Sequence, residues 1–217
     1  SLIGFFIFIL ILVKKQRDGV STFLIGTFVF INAVFIFQIF LLLTNLKFRT
    51  PHFLYLSSIT IYLYGPLIYF YFKRVILNYT FVKRDLLHLI PTALILVVFI
   101  PVFLLPAQEK LNIMLGVGSF DAWPYKLFTV STKIISLLIY GALLLRLYLK
   151  SKERIALFTP ALQGWLRSMV LFVEFYVVSY LVYGLVIMQF IPNRGVLFHI
   201  QVVSIATMVL YIGYNSY

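Results

Sequence analysis

Residues 53–91 read FLYLSSITIYLYGPLIYFYFKRVILNYTFVKRDLLHLIP, and this stretch decides the fold class. Its first twenty residues are apolar enough to cross a bilayer, yet they carry Tyr55, Tyr62 and Tyr69. A spacing of seven keeps three tyrosines near one face of a helix, with Ser58 and Gly65 between them. Gly65-Pro66 lies inside the run. Proline removes an amide donor and crowds the preceding turn, so a helix bend is expected there. Lys73 and Arg74, a short polar link and Lys83-Arg84-Asp85 follow, before a second apolar run entered through His88 and Pro91. A polar-striped, kinked helix leading into a basic turn predicts the middle of a membrane bundle.

Composition supports that solvent. The 217 residues are 63% hydrophobic and 11% charged, with a mean hydropathy of +1.05. A soluble domain of this size lacks the polar surface to cover so many apolar side chains. Cysteine is absent, so disulfides and thiolate metal sites are excluded. The net charge of +12 would suggest nucleic acid on a soluble surface. Here the cations punctuate apolar runs, the pattern that sets membrane topology.

Seven runs emerge: 1–13, 20–43, 53–72, 86–105, 125–148, 165–190 and 196–217. The first is short, about 20 Å at 1.5 Å per residue against a hydrocarbon core of about 30 Å. Its cations follow rather than precede it, the reverse of a signal peptide, so it reads as a span whose start is trimmed. Asn32 and Gln38 are the main polar interruptions of the second run. The segment AQEKLNIMLGVGSFDAWP (107–124) reads as the longest link, and the basic segment between runs five and six as partly amphipathic. Uninterrupted apolar runs argue against a β-barrel.

Twelve cations fall on alternate turns: Lys14, Lys15, Arg17; Lys73, Arg74, Lys83, Arg84; Arg146, Lys150, Lys152, Arg154, Arg167. Five fall on the opposite side: Lys47, Arg49, Lys110, Lys126 and Arg194. The positive-inside rule then predicts an all-α, seven-helix integral membrane bundle with its N-terminus outside and its C-terminus cytoplasmic.

Charges within spans are costly and often functional. Lys133 shares a helix face with Thr129, Ser136 and Tyr140, and Glu174 lies on the next, antiparallel helix. A buried Lys133–Glu174 ion pair is therefore a candidate, against the plainer alternative that Lys133 snorkels and Glu174 reaches toward Arg167. The polar interior is expected from Tyr55, Ser58, Tyr62 and Tyr69 of run three and Ser204, Thr207 and Tyr211 of run seven, with Tyr214 continuing that stripe. Tyr69 to Phe72, Trp123 and Trp165 read as interfacial aromatic belts. Candidate outer signal contacts, chosen by position, are His52, Glu109, Asp121, Trp123 and His199. The histidines do not share one level, and no zinc-protease, phosphate-loop or Ser-His-Asp pattern appears. Asn78-Tyr79-Thr80 is a glycosylation sequon by pattern only. Neither enzymatic activity nor a cofactor or metal is expected.

Tyr64-Gly65-Pro66-Leu67-Ile68-Tyr69-Phe70-Tyr71, followed by Lys83-Arg84-Asp85-Leu86-Leu87-His88-Leu89-Ile90-Pro91, resembles a signature of bacterial membrane-anchored AraC-type transcriptional regulators. Leu143 to Lys152, Trp165-Leu166-Arg167 and Leu210-Tyr211-Ile212-Gly213-Tyr214 resemble that family's basic link and closing span. Leu89 departs from it, standing where an aromatic is frequent. The resemblance implies a multi-span sensor in the bacterial cytoplasmic membrane, relaying an external or membrane signal to a helix-turn-helix domain expected beyond Tyr217. Its partners would be the lipid bilayer, a small ligand or periplasmic signal, a second copy of the chain as an option, and DNA through that further domain. The alternatives are the sensor domain of a histidine kinase and a small transporter or channel subunit. A helix-turn-helix or kinase domain beyond Tyr217 separates the first two, and vesicle transport assays identify the third.

Overall fold

A computed structural model describes residues 2–13, 18–53, 56–115, 117, 123–187 and 195–215, and every absence stated below refers to these residues. The helices are α1 (Leu2–Val13), α2 (Gly19–Leu43), α3 (Leu56–Thr60), α4 (Tyr64–Leu77), α5 (Ile90–Phe103), α6 (Ala107–Leu115), α7 (Trp123–Lys150), α8 (Lys152–Ala156), α9 (Pro160–Ile187) and α10 (Gly195–Asn215). No strand occurs among the described residues. Five helical segments are long and apolar enough to cross a membrane: 19–43, 83–103, 127–150, 160–185 and 198–215. All-α membrane-type architecture is thus the architecture observed.

Side-chain pairings reveal how the long helices run. Gly4 packs on Ala33 while Ile11 packs on Gly26, so α1 and α2 are antiparallel. Phe28 meets Tyr64 with ring centroids 5.5 Å apart, and Asp18 meets Arg74 at 2.9 Å. Those two pairs run α4 back along α2. His88 and Phe99 meet Tyr140 and Tyr125 respectively, reversing the chain again between the 83–103 segment and α7. Ile134 packs on Gly184 and Gly141 on Glu174, making α7 and α9 antiparallel. Trp165–Tyr211 and Ser179–Gln201 do the same for α9 and α10. Each long passage therefore returns along its predecessor, as short connections between consecutive helices favour.

The core is continuous through these contacts. Phe28, Phe72, Phe99, Leu144, Leu166, Met169, Ile205 and Ile212 are almost wholly enclosed. Outward positions are equally apolar: Leu94, Val97, Ile139, Leu171, Phe175, Val178, Val203 and Leu210 are exposed. An apolar exterior around a packed interior is what a lipid environment permits and water does not.

The third run departs from the single helix expected over 53–72. A 3₁₀ turn at Pro51–Phe53, α3, a second 3₁₀ turn at Ile61–Leu63 and α4 replace it, and α4 continues to Leu77. Pro66 sits near the start of α4, so its missing amide falls just after the tighter winding. Lys73 and Arg74 consequently lie on the helix rather than in a turn. Asn78 ends α4 in the left-handed conformation, φ 52°, which asparagine tolerates better than most side chains. The 107–124 link is also corrected: its first half forms α6. Run six starts earlier than expected, because Pro160 is accepted in the first turn of α9.

Candidate functional site

The chemically densest place in the bundle is the junction between the end of α4 and the 3₁₀ turn at Lys83–Leu89. Asp18 starts the ties. It caps α2 by accepting from the Val20 amide at 3.3 Å. The same carboxylate receives Arg74 Nε at 2.9 Å and Nη2 at 3.2 Å, a two-point contact that fixes the guanidinium plane. Arg74 Nη1 donates to the Tyr79 carbonyl at 3.0 Å, holding the loop after α4. Asp85 accepts from the Tyr79 hydroxyl at 3.0 Å and from the Val82 amide at 2.8 Å. Two carboxylates and one guanidinium thus tie the α2 start, the α4 end and the turn into α5 together.

Aromatic rings fill the space beneath. Lys73 Nζ lies 3.5 Å from the Tyr79 ring centroid and within 5.5 Å of Phe70 and Tyr69, a cation–π cage. His88 packs against Phe70 at 4.9 Å and Tyr69 at 6.1 Å. Its Nδ1 shares a 2.5 Å hydrogen bond with the Tyr140 hydroxyl of α7. Tyr140 in turn lies over Gly65, where an added Cβ would come within 2.5 Å of the Tyr140 Cβ. Gly65 is therefore a contact requirement between α4 and α7, besides marking the expected bend.

The junction carries a pH dependence. The Arg74 guanidinium, aided by the Val20 amide, holds the Asp18 carboxyl below its ordinary value of 3.8, against an opposing effect of burial. A lowered folded-state pKa contributes stability above the unfolded value, and that contribution disappears as pH falls through the folded value. Asp18→Asn is accordingly expected to lower the melting temperature at neutral pH. The gap from the parent protein should close below pH 3.8 in thermal melts of the detergent-solubilised chain. A gap that is constant across the titration would remove the ion pair as its cause.

The remaining expected residues separate into three groups. Tyr62 and Tyr69 both face α7: the Tyr62 hydroxyl bonds Thr132 Oγ1 at 2.5 Å and the Thr129 carbonyl at 3.2 Å, and Tyr69 meets Tyr140. Tyr55 lies outside the described residues, as does the Ser58 side chain. In α10 the interior polar group is Gln201, which donates to Ser179 at 2.6 Å. Ser204 bonds its own helix at Gln201 O, and Thr207 and Tyr214 are exposed. Only Tyr211 of that stripe packs inward, against Trp165 and Phe172. The helix turns its apolar Ile205, Met208, Val209 and Ile212 to the core, which rotates the hydroxyls outward.

The belt assignment also changes. Tyr71 and Phe72 are buried. Trp165 is half-buried: its Nε1 donates to the Tyr71 hydroxyl at 2.8 Å, and its ring stacks on Tyr211 at 5.5 Å and 9°. Two neighbouring helices hold it, so it clasps α4, α9 and α10 rather than marking an interface. The Trp123 side chain is outside the description.

Lys133 and Glu174 are not joined. Glu174 packs on Gly141, eight residues from Lys133, or about 12 Å along α7. The ion pair found among the described residues is Asp18–Arg74, and Glu174 Oε1 is buried without a hydrogen-bond partner there. Tyr64 is likewise without a partner for its hydroxyl, at the edge of a cavity of about 20 Å³, the scale of one water. Removing a charge that has no counter-ion relieves desolvation. Glu174→Gln is thus expected to leave the melting temperature unchanged or raise it by a few degrees. A marked fall would reveal a cation partner.

Among the outer candidates, His52 Nδ1 lies 3.1 Å from Lys110 Nζ, which also donates to the Phe103 carbonyl at 2.8 Å. Lys110 is 2% exposed, a buried cation that counting charges by loop does not reveal. Glu109 is half-buried and His199 exposed, and Asp121 falls outside the described residues. Asp18 was the overlooked residue with a readable signal: an acid directly before Gly19-Val20 and a long apolar run is an N-cap pattern. No known protein family, curated protein or solved structure matches the chain.

Proposed function

We propose that this chain is the membrane-embedded sensing and anchoring region of a transcriptional regulator of the AraC type, built from seven passages with the N-terminus outside and the C-terminus cytoplasmic. In this reading α1 and the α3–α4 rod join the five longer candidates as spans. The alternation of helix direction and the twelve-to-five partition of cations support that orientation.

The observation that carries the proposal is the convergence of the motif residues on one junction. Gly65, Tyr69 and Phe70 from the first half of the motif and Asp85 and His88 from the second meet around Tyr140 and Tyr79. A shift of α4 against α7 would change the His88–Tyr140 contact and the Arg74–Asp18 tie together, coupling bundle packing to the basic end. A signal acts on such an element only through different affinity for its two packings.

The test uses the full-length protein. Disrupting its gene should change transcript levels of a defined gene set, restored by the parent protein and altered again by Tyr140→Phe. The full-length protein should also retain DNA carrying the promoters of that set. Unchanged transcripts on disruption would overturn the regulatory reading, and solute uptake by vesicles containing the protein would assign it to transport.

A further inference from the structure

The elbow joining α7 to α9 holds a groove of about 390 Å³ apart from the motif junction. Lys152 on α8 and Arg167 on α9 both line it, together with Tyr148 of α7 and Gly164 of α9. Both cations are exposed, and neither has an ion-pair partner among the described residues. Glu153, the acid of the elbow, is absent from the lining. The walls are braced from within: Gln163 Nε2 donates to the Ala156 and Phe158 carbonyls at 3.2 and 2.8 Å, fixing α8 against the first turn of α9. A Cβ on Gly164 would meet nothing within 4 Å, so the space above that residue is open.

Position narrows the ligand. Segments 127–150 and 160–185 are both candidate spans, and the groove sits where they leave the apolar zone. Lipid phosphates lie at that depth, and two cations and a tyrosine lining one groove suit one phosphodiester with a single negative charge. The N-terminal turn of α9 adds its partial positive charge on the same side. We infer that the Lys152–Arg167 groove binds the phosphate-bearing headgroup of an anionic lipid. The inference rests on the membrane placement of α7 and α9 and not on the regulatory proposal.

The experiment titrates the detergent-purified chain with dioctanoyl phosphatidylglycerol, dioctanoyl phosphatidylcholine and sodium phosphate, following the melting temperature. Phosphatidylglycerol is expected to stabilise in a saturable way, with phosphatidylcholine and free phosphate having little effect. The double variant Lys152→Gln/Arg167→Gln should weaken the apparent affinity about tenfold or more, as loss of two charge-assisted contacts implies. Gly164→Leu fills the open space without touching either cation, and should weaken binding while leaving the unliganded melting temperature at or above that of the parent. Equal stabilisation by both lipids, or undiminished binding in Gly164→Leu and in the double variant, would overturn the inference. Saturable stabilisation by sodium phosphate alone, lost in the same variants, would replace the lipid headgroup by a free phosphate ion.

Discussion

Gly65→Ala is expected to lower the melting temperature by more than any other single-methyl addition at the motif junction, and Gly65→Leu to prevent the native packing of α4 on α7. The added carbon would run into the ring and Cβ of Tyr140. That ring cannot simply rotate away, because its hydroxyl is held by His88 and the ring itself packs edge-to-face with Tyr69. Overpacking of a closed contact costs about 1–3 kcal/mol for small additions and more for branched ones. Shape, and not helix propensity, decides the sign: alanine is the better helix former by about 1 kcal/mol, so a stabilised Gly65→Ala protein would refute the contact. Combining Gly65→Ala with Tyr140→Ala should recover part of the loss, with a coupling of about 1 kcal/mol or more in a double-mutant cycle. Strict additivity would place the two residues out of contact.

Trp165→Ala is the second large expected effect. The side chain fills the space between α4, α9 and α10, stacking on Tyr211 and donating to Tyr71. Its removal strips the Tyr71 hydroxyl of this donor and leaves a hole beside Phe172, which also packs on Tyr211. Large aromatic deletions from fully buried sites cost about 3–5 kcal/mol; because Trp165 is half-buried, about 3 kcal/mol is expected. Trp165→Phe keeps a stacking ring but loses the hydrogen bond, and should cost about 1 kcal/mol. A Trp165→Ala protein with the parent's melting temperature would return Trp165 to the interfacial role that its flanking position suggested.

Both predictions concern residues whose importance the sequence marks without explaining. Gly65 stands beside a proline in a hydrophobic run, which signals a bend. The partner that makes glycine necessary is 75 residues away on α7. Trp165 stands at the edge of an apolar run, where tryptophan usually signals an interface. Here neighbouring helices carry tyrosines to it instead. The same gap explains the Lys133–Glu174 expectation: spacing shows which face of α7 a lysine shares, but not how far α9 slides along it. That slide sets Glu174 against Gly141.

Asp18 and Arg74 reverse the case. Each lies in a legible local pattern, a helix start and a basic helix end, and only their meeting across 56 residues required the fold. In α10 the hydroxyl stripe was legible as a stripe, but its direction was not. Four apolar side chains on the neighbouring face compete for the core, and their combined burial outweighs a hydrogen bond that Ser204 makes equally well to its own helix.

The opening stretch shows the division plainly. Hydropathy, the placement of cations and the absence of alternation determined by themselves that the chain is a bundle of apolar helices, because lipid leaves the backbone no other way to satisfy its hydrogen bonds within a continuous apolar run. Tertiary structure alone decided which residues of residues 53–91 meet. Helix rotation and axial offset depend on the summed packing of side chains far apart in the chain. Those two quantities bring Gly65 under Tyr140, His88 onto the Tyr140 hydroxyl and Arg74 onto Asp18.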